Sequence, residues 1–407
     1  MDDKKIFSWN NATVYYVMTD RFYNGDPNND HSYGRGLDRE GNVIKETVNV
    51  PYSYLGGDLK GVIEKLEEGY FTDLGVDAIL ISGPFEQTHG FVSGNKTQSE
   101  VDNGQGLQTY SYHGYWTLDY TSFDRNMCTE EEFKKLIEVA HSKGIRVLLD
   151  IALNHVGYPS LKDIVEYDYG DLYDGWEDYY YGSPNSLTVR PAEVSRWFDL
   201  NSPKWATKWW GPDFVRVSDG YAGYEKGFET IFDPTGCLYG LPDLKNESTK
   251  EVNLPPILET KWKREGRYEK EMKELDDFFK SRNVPRYPRY YFIKWVTDYI
   301  RKYGIDGFRA DGALNVDLDT WEALNIESDI AFEEYKRNNP EKVLDNNSGF
   351  WIIGEIWQHV ITKSPYFTKS RFDVVYNFDF KTVSMINVKD KYDSLKSLCE
   401  YNDFNVV

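Results

Sequence analysis

Apolar positions along the chain recur with helical spacing and then as short continuous runs, and the two patterns recur together. Thr129 can cap a helix with Glu132 three residues on; Phe133, Leu136, Ile137 and Ala140 follow at helical spacing, and Gly144 stops the pattern. Ile145 to Leu149 then reads as a buried strand. Earlier, Asp58 precedes a helix carrying Val62, Ile63 and Leu66, and Gly75 leads into the apolar run Val76 to Ser82. Far downstream, Phe292, Trp295, Val296, Tyr299 and Ile300 form a helical stripe that Gly304 breaks, and Ile305 to Ala310 continues as a strand. Short buried strands alternating with amphipathic helices predict parallel βα units.

The spacing predicts strands at Thr13 to Met18, Ala78 to Ser82, Arg146 to Asp150, Gly307 to Asp311, Phe350 to Gly354 and Asp373 to Tyr376, with a seventh beginning at Phe404 to Val407. Six strands and an onset suit an α/β fold of the (β/α)8 barrel type, stopping at the start of strand 7, better than a doubly wound sheet. The interval between the third and fourth strands is too long for one crossover. Its stretch from His155 to Leu241 is rich in Tyr, Asp, Gly and Trp and lacks periodicity, which predicts a subdomain inserted after strand 3. The expected division is 1–155 for the first part of the barrel, 156–243 for the insert and 244–407 for the second part. Lys261 to Lys280 reads as a charged helical return to the barrel.

Composition narrows the partners. With 407 residues, 40% of them hydrophobic, the chain can bury a large core. The 47 Lys and Arg against 67 Asp and Glu leave a charge of −20 with no local basic patch, which excludes nucleic acid as an expected partner. No apolar run reaches bilayer length, so no membrane association is expected. MDDKKIFSWNNATVYYV has no apolar leader, which points to the cytoplasm, or to export if a leader has been removed. Cys128, Cys237 and Cys399 are far apart and odd in number, against a disulfide framework. Aromatic residues make up 16% of the chain, with 12 Trp and 32 Tyr, a composition equally suited to sugar-binding surfaces and to a Tyr-rich core.

In such a barrel reactive groups stand at the C-terminal ends of strands. Three predicted strands end in acids: Asp150 in DIALNH, Asp311 in GFRADGA and Glu355 in IIGEIW. Paired carboxylates at neighbouring strand ends are what glycosidic cleavage requires, one to attack the anomeric carbon and one to protonate the leaving oxygen. Arg309, two residues before Asp311, shares its face and is expected to keep it ionised. Glu355, between Ile353, Ile356 and Trp357, has neighbours that favour its protonated form. Each acid taken singly suits a salt bridge or a loop cap as well.

The run GGDLKGVIEKLEEGYFTDLGVDAILIS, then YHGYW at Tyr112 to Trp116, DIALNH at Asp150 to His155, LPDL at Leu241 to Leu244, GFRAD at Gly307 to Asp311 and GE at Gly354 and Glu355 stand in the order seen in the α-amylase superfamily. TDRFYNGDPNND and GGDLKG resemble cyclodextrin glucanotransferases and related bacterial α-amylases in particular. The resemblance implies a retaining hydrolase or transglycosylase of α-1,4-glucans such as starch, maltodextrin or cyclodextrin. It implies Asp311 as nucleophile, Glu355 as general acid/base and Arg309 as the arginine beside the nucleophile. Asp150, His155, His113 and Tyr115 match residues of the sugar subsite where the bond is cut. It also implies calcium: Asn24, Asp26, Asn29 and Asp30 with Asp58 and the Gly56 carbonyl at one site, and Asn154, Asp243 and a carbonyl near Asn315 at another.

Two departures accompany the resemblance. Leu314 and Asn315 replace the lysine and histidine that ordinarily touch the leaving-side sugar. The family's third acid, an aspartate at the end of strand 7, has no counterpart before Val407, and the chain is therefore expected to be a fragment. Hydrolysis and transfer stay open, as does an oligosaccharide-binding chain without chemistry. A metal-dependent hydrolase lacks the histidine cluster it would need.

Overall fold

The computed structural model describes residues 7–44, 48, 51–92, 109–175, 198–344, 348–357, 364–376 and 378. Its strands are β1 (Val14–Val17), β2 (Ala78–Ile81), β3 (Phe85–Gln87), β4 (Thr117–Phe123), β5 (Arg146–Ala152), β6 (Val215–Arg216), β7 (Asp243–Leu244), β8 (Gly307–Asp311), β9 (Trp351–Gly354) and β10 (Val374–Val375). Six of them form one sheet in the order β1-β2-β5-β8-β9-β10, and every neighbouring pair is parallel. These are the six full strands read from the apolar runs; the onset at Phe404 to Val407 and Cys399 lie outside the described residues.

Period-2 alternation divides this sheet into two faces. Ile79, Ile81, Val147, Leu149 and Phe308 point into the main core with the helices. Ala78, Leu80, Leu148, Ile353 and Val374 form a second, smaller cluster on the other face, joined by Trp9, Val14, Trp351 and Tyr376. Both faces are covered, which is why these strands read as unbroken apolar runs. Trp9, just before β1, stacks on Trp351 at the start of β9 with ring centroids 4.2 Å apart. Four strand spacings separate β1 from β9 in the sheet, about 19 Å if it were flat, so the sheet curls around its smaller cluster.

The helices obey their sequence signals. Thr129 and Glu132 form a reciprocal capping box on Glu130–Ser142, and Phe133, Leu136, Ile137 and Ala140 are buried. Asp58 caps Leu59–Glu68 by accepting from the Gly61 N–H. Pro288–Tyr303 ends at Gly304 in the left-handed region, φ 74°, where a Cβ would fall 2.1 Å from the Tyr335 ring. The charged return segment is two helices, Pro256–Arg264 and Tyr268–Arg282, broken at Gly266. Two short antiparallel pairs, β3 with β4 and β6 with β7, had no sequence signal.

Candidate active site

Strand register assembles the site. Asp150 on β5 lies directly opposite Arg309 on β8, and Ala310 on β8 lies opposite Gly354, which precedes Glu355. Arg309 and Asp311 are two apart on one strand and therefore share a face. The Arg309 guanidinium gathers all three acids: Nη1 donates to Asp150 Oδ1 at 2.8 Å and Asp311 Oδ1 at 2.5 Å, and Nη2 pairs with Glu355 Oε2 at 2.9 Å. The Gly312 N–H also donates to Glu355 Oε2, at 3.1 Å. Asp150 is sealed, whereas the side chains of Asp311 and Glu355 are 16% and 25% exposed and can meet a ligand.

Three carboxylates on one cation leave a surplus of negative charge. Burial pushes the Asp311 carboxyl up to about 8; Arg309 opposes this, and the Asp150 and Glu355 charges add to it. Asp150 is likewise raised by burial against the pull of Arg309. The sequence-based expectation that Arg309 keeps Asp311 ionised is therefore corrected: the guanidinium is shared among three acids, and its stabilisation is outweighed. Asp311 therefore keeps its proton near neutrality.

Aromatic and imidazole groups surround the acids. The Tyr115 hydroxyl donates to Asp150 Oδ2 at 2.7 Å and accepts from Arg309 Nη1 at 3.2 Å. His113 stacks on Tyr115, with centroids 5.3 Å apart, and its Nδ1 accepts from the Tyr115 N–H at 3.0 Å. His155 donates from Nε2 to the Tyr115 carbonyl at 2.9 Å, and its Nδ1 meets the Asn154 side-chain amide. Burial holds His113 down at about 3 and His155 at about 4, so both are neutral at physiological pH. Each of the seven residues expected at the site is thus within one connected network. Sequence reasoning missed three groups: the Gly312 N–H, Tyr16 and Tyr376. The Tyr16 hydroxyl lies 3.3 Å from that of Tyr115, and the Tyr376 ring lies 5.7 Å from Arg309 Cζ. Their positions at the ends of β1 and β10 were the available signal.

The acidic turn near the amino terminus is drawn together as well. Asp58 accepts from the Gly25, Asp26 and Gly61 N–H groups and from Asn29 Nδ2, so it organises the turn through four donors. Asn24 Nδ2 donates to Asp30 Oδ1 at 2.8 Å. The side-chain oxygens of Asn24 and Asn29 are buried without a partner among the described residues. Gly56, φ 90°, closes the cluster, where a Cβ would lie 2.4 Å from Asn24 Nδ2 and 2.6 Å from Asp30 Oδ1. Asp26 faces outward, 3.7 Å from Lys60. At the other expected site, Asn154 and Asp243 are adjacent through the Leu244 N–H bond to the Asn154 carbonyl, 2.8 Å. Asp243 binds Arg216 through Oδ2, and its Oδ1 is buried without a partner among the described residues. Asn315 donates from Nδ2 to the Asp233 carbonyl at 3.3 Å.

Residues 16–211 match the family model described as the catalytic domain of alpha amylase. A periplasmic alpha-amylase of Escherichia coli (strain K12) is 38% identical over 399 residues, covering 93% of this chain and 52% of that protein. A cyclomaltodextrin glucanotransferase of Bacillus sp. (strain 6.6.3) is 34% identical over 167 residues, 41% of this chain and 21% of that protein. This chain therefore spans about half the length of the periplasmic relative. Among solved structures, an Anoxybacillus alpha-amylase shares the fold with TM-score 0.52 at 20% identity, over 98% of this chain and 60% of that one. The glucanotransferase CldA does so with TM-score 0.53 at 21% identity, over 96% and 61%. No described helix is long and apolar enough to cross a membrane, and a periplasmic relative lends the expected cytoplasmic location no support. Six parallel strands in barrel order accompany these matches, so the chain is similar to the α-amylase superfamily in sequence and shares its fold.

Proposed function

We propose that this protein cleaves α-1,4-glucosidic bonds of starch-type glucans with retention of configuration. One observation carries the reading: a single guanidinium, Arg309, binds both Asp311 and Glu355, and both carboxyls are partly open to solvent. Asp311, once ionised, attacks the anomeric carbon while the glycosidic C–O bond breaks and Glu355 protonates the departing oxygen. Glu355 then takes a proton from water, whose oxygen displaces Asp311 from the same carbon and restores the acid. Tyr115 offers a ring face for the sugar, and Asp150, His113 and His155 offer polar contacts around it. Neutral imidazoles suit this, since each can hold a sugar hydroxyl without adding charge. The glucanotransferase relatives favour a second reading, transfer, in which a sugar hydroxyl replaces water in the second step.

The assay is reducing-sugar release from starch, maltodextrin and cyclodextrin by the whole protein. Glu355→Gln is expected to lower kcat at least ~100-fold, and Asp311→Asn to reduce it to background. Unchanged turnover in Asp311→Asn refutes the assignment; calorimetric heat with maltoheptaose but no product in the parent replaces it with a binding protein.

The same proposal divides the chain as 1–155 and 244–407 for the barrel and 156–243 for an insert, and it includes calcium. The unpartnered oxygens of Asn24 and Asn29, with Asp30 and the Gly56 carbonyl, are hard donors in one pocket and fit such an ion. Asn154 and Asp243 fit a second, with Arg216 already supplying part of the positive charge. Chelator is expected to lower the melting temperature, and added Ca2+ but not Mg2+ to restore it. A melting temperature indifferent to chelator removes both sites from the reading.

A further inference from the structure

We propose that Tyr376 is a positioning residue of this centre: its ring walls one side of the Arg309 guanidinium and holds the cation on which Glu355 and Asp311 are spaced. The inference rests on the glycosidase reading and adds to it a residue that none of the sequence motifs contains.

Backbone geometry sets Tyr376 in place. The Tyr376 N–H donates to the Gly354 carbonyl at 3.1 Å, which extends the β9 to β10 pairing one residue beyond Val375 and puts Tyr376 beside Glu355. Its ring packs against the smaller core cluster that includes Ile353 and Val374. Arg309 Cζ then lies 5.7 Å from the Tyr376 ring and 6.0 Å from the Tyr115 ring. The field at the Tyr376 hydroxyl agrees: burial raises its pKa, the Arg309 charge and a side-chain hydrogen bond to Arg309 oppose, and Asp150 and Glu355 reinforce.

The ring adds a contact to a guanidinium whose two amino groups already hold the acids. Nη1 serves Asp150, Asp311 and the Tyr115 hydroxyl, and Nη2 serves Glu355. The Tyr376 ring lies against this guanidinium, and guanidinium faces are weakly hydrated and stack on aromatic rings. Tyr115 is itself anchored by its bond to Asp150. Tyr376 comes from another strand end and is the independent constraint. Asp311 and Asp150 share Nη1, whereas Glu355 relies on Nη2 and the Gly312 N–H, so loss of the ring displaces Glu355 first. The consequence is impaired proton delivery with substrate binding preserved.

The test compares Tyr376→Phe, Tyr376→Leu and Tyr376→Ala in the whole protein on two substrates: maltodextrin, whose leaving oxygen needs a proton, and an α-maltosyl fluoride, whose leaving group needs little help. Loss of the ring in Leu and Ala is expected to lower kcat on maltodextrin about tenfold, with KM within about twofold, and to leave the fluoride rate near that of the parent. Phe is expected to rescue the maltodextrin rate. Leu preserves apolar volume, so it reports even where Ala fails to fold. A raised KM with unchanged kcat, equal loss on both substrates, or a Phe variant as slow as Leu overturns the proposal. Asp311→Asn run alongside separates the two levels: if it turns over the fluoride, the glycosidase reading itself has failed.

Discussion

At Asp311, burial and the charges of two neighbouring acids prevail over an adjacent arginine. Its carboxyl titrates at about 8 in the folded chain against an ordinary 3.8, so the folded state holds the proton more tightly than the unfolded one. The stability this contributes is complete below about 3.8 and is lost as pH rises from there through about 8, so near neutrality the Asp311 carboxyl is already a destabilising feature of the fold. Asp311→Asn should therefore melt higher than the parent near pH 7 to 8, by about 1 to 3 kcal/mol, and the difference should shrink towards pH 4. Equal melting curves across that range would show that Asp311 is not held in surplus negative charge. The identity of the acids was legible in the chain, because Asp150, Asp311 and Glu355 each close an apolar run and Arg309 is two residues from Asp311. The proton balance was not. It depends on how near Asp150 and Glu355 come to the same cation, a property of strand register across β5, β8 and β9.

Elements outside the sheet are held by buried charge as well as by apolar packing. His89, just after β3, bonds Glu86 through Nε2 and Glu166 through Nδ1, both at 2.9 Å, with Asp163 3.9 Å away and the Tyr33 ring stacked 4.1 Å from its own. Lys261, from helix Pro256–Arg264, pairs with Glu86 at 2.9 Å and with Asp119 of β4 at 3.2 Å. The result joins the β3 to β4 segment, helix Leu161–Tyr167 and the return helices. Burial alone would neutralise the imidazole, but the carboxylates prevail and raise His89 to about 9 from 6.5. A raised histidine contributes stability that is complete below about 6.5 and lost as pH climbs through about 9. His89→Asn should destabilise by on the order of 3 kcal/mol near pH 6 and by much less near pH 9.5, as read by urea unfolding at both pH values. A pH-independent loss would assign His89 to packing alone. This latch was invisible in the sequence for a plain reason: β3 is three residues long, carries register shifts, and pairs with residues some thirty positions away across a segment without periodicity. The long helices, by contrast, were legible because Thr129, Asp58 and Gly304 mark their ends.

At the scale of the molecule, the curl of one sheet brings residues from the whole length of the chain to one place. Tyr16 from β1, Tyr115 before β4, Asp150 on β5, Arg309 and Asp311 on β8, Glu355 after β9 and Tyr376 after β10 meet around a single guanidinium. The order of the six strands in the sheet follows the order in which they occur along the chain, which is why counting βα units was enough to anticipate the architecture. The most direct test of the proposed chemistry is to incubate the whole protein with a 5-fluoro-α-glucosyl fluoride, whose glycosyl-enzyme hydrolyses slowly, and to map the adduct by peptide mass spectrometry. The peptide carrying Asp311 should gain one fluoroglucosyl group, absent in Asp311→Asn. An adduct on any other residue, or consumption of the reagent with no adduct, would contradict a covalent intermediate on Asp311.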